Sequence, residues 1–170
     1  VTPAVWKGAA STVALGQSRS ETHHSTSHRR SQACSDQLRM LTHTHPDTRQ
    51  LRCHRVKYVL VGGMACVIHG SQIVTQDVDI CAPLTPENLT GLLAALAGAH
   101  PRFRTTPDLR PLPEDAERLE GFKNLYLITD YGPLDVLSEI AGVGTYAEVE
   151  KHTIQVDLEG APCRVLDLET

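Results

Sequence analysis

The sequence predicts an α/β fold: a small mixed sheet that holds an acidic pair on one face, with helices packed behind it. Three observations carry this. Val56 to Val61 is nearly continuous apolar and β-branched apart from Lys57, which suits a central strand buried on both faces. Gly62-Gly63 ends that run, and Met64 to His69 then starts a helix. After a short loop, Asp77-Val78-Asp79-Ile80 reads as a second strand in which the acids alternate with core residues.

One folded domain is the natural expectation for 170 residues, and such a chain can bury a real core. The charge is unevenly placed. Residues 1–55 carry eight Lys/Arg against three Asp/Glu, and residues 56–170 carry eight against seventeen. An acidic body argues against a broad nucleic-acid face, and leaves room for RNA held by a local patch. Cys34, Cys53, Cys66, Cys81 and Cys163 are odd in number and form no C-x-x-C pair, the pattern of reduced thiols. No apolar run is long enough to span a membrane, so the expected location is the cytoplasm.

Residues 1–55 are rich in Ser, Thr, His, Arg and Gln, without hydrophobic periodicity. They are expected to be a disordered or low-complexity arm, with 56–170 as the folded domain. The chain begins with Val, which suggests a fragment, a processed product or an unusual start site; an organellar transit peptide is a lesser alternative. His23, His24, His28, His43, His45 and His54 invite a zinc hypothesis, but their spacing fits no standard module, and a solvated tail is the better reading.

The remaining elements follow in order. A Gly-Gly after a strand is an ordinary turn or a place where backbone approaches a phosphate; the acidic pair nearby favours the second. Adjacent carboxylates at Asp77 and Asp79 repel unless a cation sits between them, so the pair reads as a magnesium site, with a solvated strand edge as the alternative. Thr85-Pro86 starts a helix by capping and first-turn proline, and Leu89, Leu92, Leu93 and Leu96 form its core face. His100-Pro101 closes it. Pro101 to Gly121 reads as a solvated connection without a site, with a short exposed helix at Glu114–Glu120. Leu125–Thr129 and Pro133–Leu137 read as a hairpin around Asp130, a turn residue. A short helix is expected at Gly144–Glu150, then a second hairpin, Thr153–Leu158 with Ala161–Leu166.

Val61-Gly62-Gly63, a spacer, and Asp77-Val78-Asp79-Ile80 resemble the signature of the nucleotidyltransferase superfamily, and the look is closest to the minimal nucleotidyltransferases, including toxins of abortive-infection and toxin–antitoxin systems. The resemblance runs from about Val56 to Thr170. It implies a polymerase-β-like nucleotidyltransferase fold, C-terminally short: relatives continue with a helix near Asp167-Leu168-Glu169 that carries a basic, triphosphate-binding residue. The family's third carboxylate follows a Gly-x-hydrophobic-Asp pattern, which Gly132-Pro133-Leu134-Asp135 fits. Asp77, Asp79 and Asp135 are thereby implied as catalytic residues and ligands of two Mg²⁺ ions. Gly62, Gly63 and Thr75 are implied at the nucleotide, Thr75 by shaping the loop. Two departures stand out: Gly63 replaces a frequent Ser, and Ile73 stands where relatives often place Arg. His69 is read as a helix-end residue rather than a catalyst.

The activity implied is transfer of a nucleoside monophosphate from a nucleoside triphosphate such as ATP to an acceptor. That acceptor is a tRNA end, a protein hydroxyl or a small molecule, and a cognate antitoxin is an implied partner. Two alternatives stay open. One is a catalytically degenerate binding protein on the same fold. The other is Mg²⁺-dependent phosphate hydrolysis.

Overall fold

The computed structural model describes residues 47–72, 75–158 and 160–168. The elements are α1 (Asp47–Cys53), β1 (Val59–Val61), α2 (Gly62–Ile68), β2 (Val78–Cys81), α3 (Pro86–Leu96), β3 (Arg102–Phe103), β4 (Asn124–Thr129) and β5 (Gly132–Leu137). They continue with β6 (Glu139–Ile140), β7 (Gly144–Thr145), α4 (Tyr146–Val149), β8 (Thr153–Leu158) and β9 (Ala161–Leu166). Seven strands form one mixed sheet in the order β3-β4-β5-β2-β1-β9-β8. The β2–β5 and β1–β9 pairs are parallel, and the remaining pairs of this sheet are antiparallel. The fold is α/β, as expected.

Alternation along the strands sorts the side chains onto two faces. Leu60, Val78, Ile80, Leu134 and Val136 join Met64, Leu89, Leu92 and Leu96 in the main core, behind the sheet. Val59, Val61 and Cys81 face the other way, into a smaller cluster with Tyr146 and Val149. Asp79 shares the parity of Cys81, and Asp135 shares that of Leu137, so both acids lie on this second face. The small cluster covers part of it and the acids stand on the remainder.

Helix α3 starts as its sequence dictates. Thr85 caps it by accepting the Asn88 N–H, and Pro86 takes the first helical position. Asn88, buried, then ties two strand ends together. Its Oδ1 accepts the Lys57 N–H (2.7 Å), and its Nδ2 donates to Lys57 O (3.1 Å) and Pro83 O (2.9 Å). The lead-in to β1 and the exit of β2 are thus held by one amide. Both expected hairpins are present, and β8–β9 occupies the predicted residues.

Three expectations are corrected. The packed body reaches back beyond residue 56: α1 packs against α3, and Leu51 is fully buried. A single leucine among polar neighbours leaves no periodicity to read. Asp77 lies just before β2 rather than on it. Beyond Val61↔Asp79, β1 has already turned into α2, and the next β5 residue is Pro133, which has no N–H to offer. Finally, residues 101–121 are no mere connection. Phe103 pairs with Leu127, Leu112 and Leu119 are buried, and Phe103 stacks on Phe122 at 5.7 Å. The short helix there is a 3₁₀ turn, Ala116–Leu119. Residues 1–46, including five of the six tail histidines and Cys34, lie outside the described residues; Cys53 and His54 are exposed.

Leu51→Ala is expected to destabilise the protein by about 2–4 kcal/mol, as for a buried core leucine. Urea unfolding of the full chain checks this; a change under 0.5 kcal/mol, roughly what a surface site gives, would detach α1 from the core.

Candidate functional site

The site is built on a register. Parallel pairing of β2 with β5 sets Asp79 beside Asp135, on the same face. Asp77, half-buried, stands two residues before Asp79 and acts on it electrostatically, as Asp135 does. The structure therefore brings the three predicted acids into one field. Burial, then repulsion from Asp77 and Asp135, pushes the Asp79 carboxyl up to about 6. The Gly63 N–H and Arg104 pull the other way.

Both glycines are needed for close approach. Gly62 has a positive φ of 63°, and a Cβ there would lie 2.7 Å from Asp79 Cγ. A Cβ on Gly63 would lie 2.8 Å from Thr75 Oγ1, so a serine at this position would crowd the loop. The Gly63 N–H is bonded to the Asp79 carboxylate. Thr75 Oγ1 donates to Asp77 Oδ1, which fixes how that carboxylate points. Thr75 thus shapes the loop by holding an acid. His69 caps the end of α2, and its Nε2–H donates to Leu166 O at 2.8 Å, away from the acids' chemistry.

The residue that sequence reasoning missed is Arg104. Its Nε donates to Asp135 Oδ1 (3.2 Å) and its Nη2 to Oδ2, a bidentate pair. The guanidinium also lies over the Tyr126 ring, 5.5 Å from the centroid. Asp135 is buried, whereas the Arg104 side chain is 40% exposed. Hydrogen bonding to Asp135, with added attraction to Asp77 and Asp79, holds Arg104 all the more firmly protonated. The alternation Arg102-Phe103-Arg104-Thr105 was a faint strand signal, submerged among prolines. Among the described residues, no three His, Cys, Asp or Glu side chains converge as a metal cage. Clefts of about 230 and 580 Å³ open elsewhere, around Arg52 between α1 and β9.

No protein-family model matches this chain, and no curated protein matches it. Among solved structures, it is similar to a Thermotoga maritima protein provisionally described as a nucleotidyltransferase. The identity is 18%, the match covers 79% of this chain and 80% of that one, and the TM-score is 0.47. A likeness this distant leaves the chemistry to the residues themselves. Among the described residues, no helix is long and apolar enough to cross a membrane.

Gly62→Ala is expected to destabilise the protein by about 2–4 kcal/mol, from backbone strain plus the clash with Asp79. Thermal unfolding reads it, and Gly70→Ala, where a Cβ meets open space, measures the strain of positive φ alone.

Asp79 also predicts a pH dependence. Its folded-state carboxyl lies near 6, above its ordinary 3.8. Between about pH 4 and 6 the folded protein holds a proton that the unfolded chain releases, so stability falls as pH rises through that window. Asp79→Asn removes this slope. It should stabilise the protein at pH 8 by about 1–2 kcal/mol, a figure reduced for the site's contact with water, and leave it unchanged below pH 4. Denaturant midpoints at both pH values test the sign.

Proposed function

We propose that this protein is a metal-dependent nucleotidyltransferase. One observation carries the reading: Asp79 and Asp135 stand in register on one sheet face, beside a glycine turn that admits no side chain. Three carboxylates against one guanidinium leave two negative charges in excess; burial first, and this repulsion second, raise the Asp79 carboxyl to about 6. Hard oxygen donors with surplus negative charge fit Mg²⁺. Asp77, Asp79 and Asp135 are the residues that would hold it. When bound, such ions offset the charge on the phosphates and on the attacking and leaving oxygens.

An acceptor hydroxyl forms a bond to the α-phosphorus of a nucleoside triphosphate, the α–β bridging bond breaks, and pyrophosphate leaves. The hydroxyl proton passes to a carboxylate of the cluster. Gly62 and Gly63 keep the turn free of side chains, and Thr75 orients Asp77. ATP is the first substrate to try. The acceptor is a tRNA end, a protein hydroxyl or a small molecule. A toxin's role with a cognate antitoxin, in the cytoplasm, follows from the motif resemblance alone.

A second reading is a non-catalytic binding protein on the same fold. Arg104 favours it, because a built-in cation already satisfies Asp135.

Calorimetric titration of MgATP, then of the other three nucleoside triphosphates, into the full chain separates the two. Metal-dependent binding is expected, and Asp77→Asn/Asp79→Asn should weaken it at least tenfold, about 1.4 kcal/mol. Binding of no triphosphate would favour the non-catalytic protein.

A further inference from the structure

Arg104 sits at the acidic cluster in a particular way. Both Asp135 oxygens are engaged by its guanidinium, so a metal ion that takes over those acceptor positions displaces Arg104. Asp135 is buried and requires a cation in one form or the other. The backbone of Arg104 is fixed: its N–H donates to Tyr126 O at 3.0 Å, and the preceding Phe103 N–H donates to Arg110 O at 2.8 Å. Its side chain, by contrast, is open to water. Because its backbone is held, a guanidinium displaced from Asp135 stays at the rim of the cluster, near the Tyr126 ring that it lies over. Its planar donor fork fits a phosphate as well as a carboxylate.

We propose that Arg104 is a phosphate-binding residue of this site, which trades the Asp135 carboxylate for the phosphates of an incoming nucleotide as a divalent cation takes its place. The proposal rests on the nucleotidyltransferase reading. It gives the metal and the nucleotide a reason to bind together. Metal alone must evict Arg104 and leave its donors to water, whereas metal with nucleotide provides both new partners at once. The coupling is reciprocal, as linkage requires.

The test is calorimetry with Mn²⁺ alone and with Mn²⁺ plus α,β-methylene-ATP, which cannot turn over. The proteins are the full chain, Arg104→Gln, Arg104→Lys and Asp135→Asn. Arg104→Gln keeps a polar amide at this position and removes the charge, together with the guanidinium's contact with Tyr126. It should bind Mn²⁺ alone about tenfold more tightly than the parent and the nucleotide about tenfold more weakly, roughly one decade each way. Arg104→Lys keeps the charge without the fork and should fall between. The melting temperature gives a second readout: in chelator, Arg104→Gln should melt below the parent, and Mn²⁺ should raise it more than it raises the parent. If Arg104→Gln leaves Mn²⁺ affinity unchanged while Asp135→Asn lowers it, the proposal is overturned and the enzyme reading stands. Tighter Mn²⁺ with unchanged nucleotide affinity also overturns it, since Arg104 would then only block the metal. If neither ligand binds to the parent or to Arg104→Gln, both readings fall.

Discussion

Like charges brought together in a partly buried place organise this molecule. Parallel pairing of β2 with β5 sets Asp79 beside Asp135, and Asp77 adds a third carboxylate. Nothing in a strand's own preferences favours this, since acids are depleted in strands and repel when adjacent. The surroundings answer the repulsion in several ways. Gly62 gives Asp79 room, and Gly63 gives it an N–H. Thr75 gives Asp77 a hydroxyl, and Arg104 gives Asp135 a charge. Burial, with the repulsion that remains, raises the Asp79 carboxyl to about 6. A structure that spends so many groups on keeping three acids together invites a cationic partner.

The sheet makes this affordable by separating functions across its thickness. Val78, Ile80, Leu134 and Val136 face the helices and form the main core. The residues between them are freed for chemistry on the other face. The same alternation that packs the core therefore presents the acids. Asn88 fixes the segments flanking β1 and β2 from behind, so the strand that carries Asp79 is anchored at the end away from the acids.

Much of this was legible in the sequence because the signals were local. Thr85-Pro86 announces α3, and the run around Gly160 announces the β8–β9 hairpin through turn chemistry and strand-forming flanks. Asp77 and Asp79 could be picked out because charge beside and within an apolar run is conspicuous, and Asp135 through the motif resemblance. The rest was hidden for one physical reason: it depends on what lies opposite. Whether Asp77 falls inside β2 is decided by the length of β1 and by Pro133 on β5. Arg104 acquires its meaning from Asp135, 31 residues away and across β4. Leu51 joins the core only because α3 is there to receive it.

The place of β1 in the sheet has a consequence for how the chain is made. β1 lies between β2 and β9, and β9 comes roughly a hundred residues later in the chain. During synthesis, Val59–Val61 can pair with β2 early, while its other edge has no strand to receive until Ala161–Leu166 leaves the ribosome. An apolar strand with one open edge is a template for pairing with other chains. Closing it late adds a long-range contact of the kind that slows folding and exposes a nascent chain to aggregation. Until β9 pairs with it, β1 is therefore the open edge of a partly formed sheet.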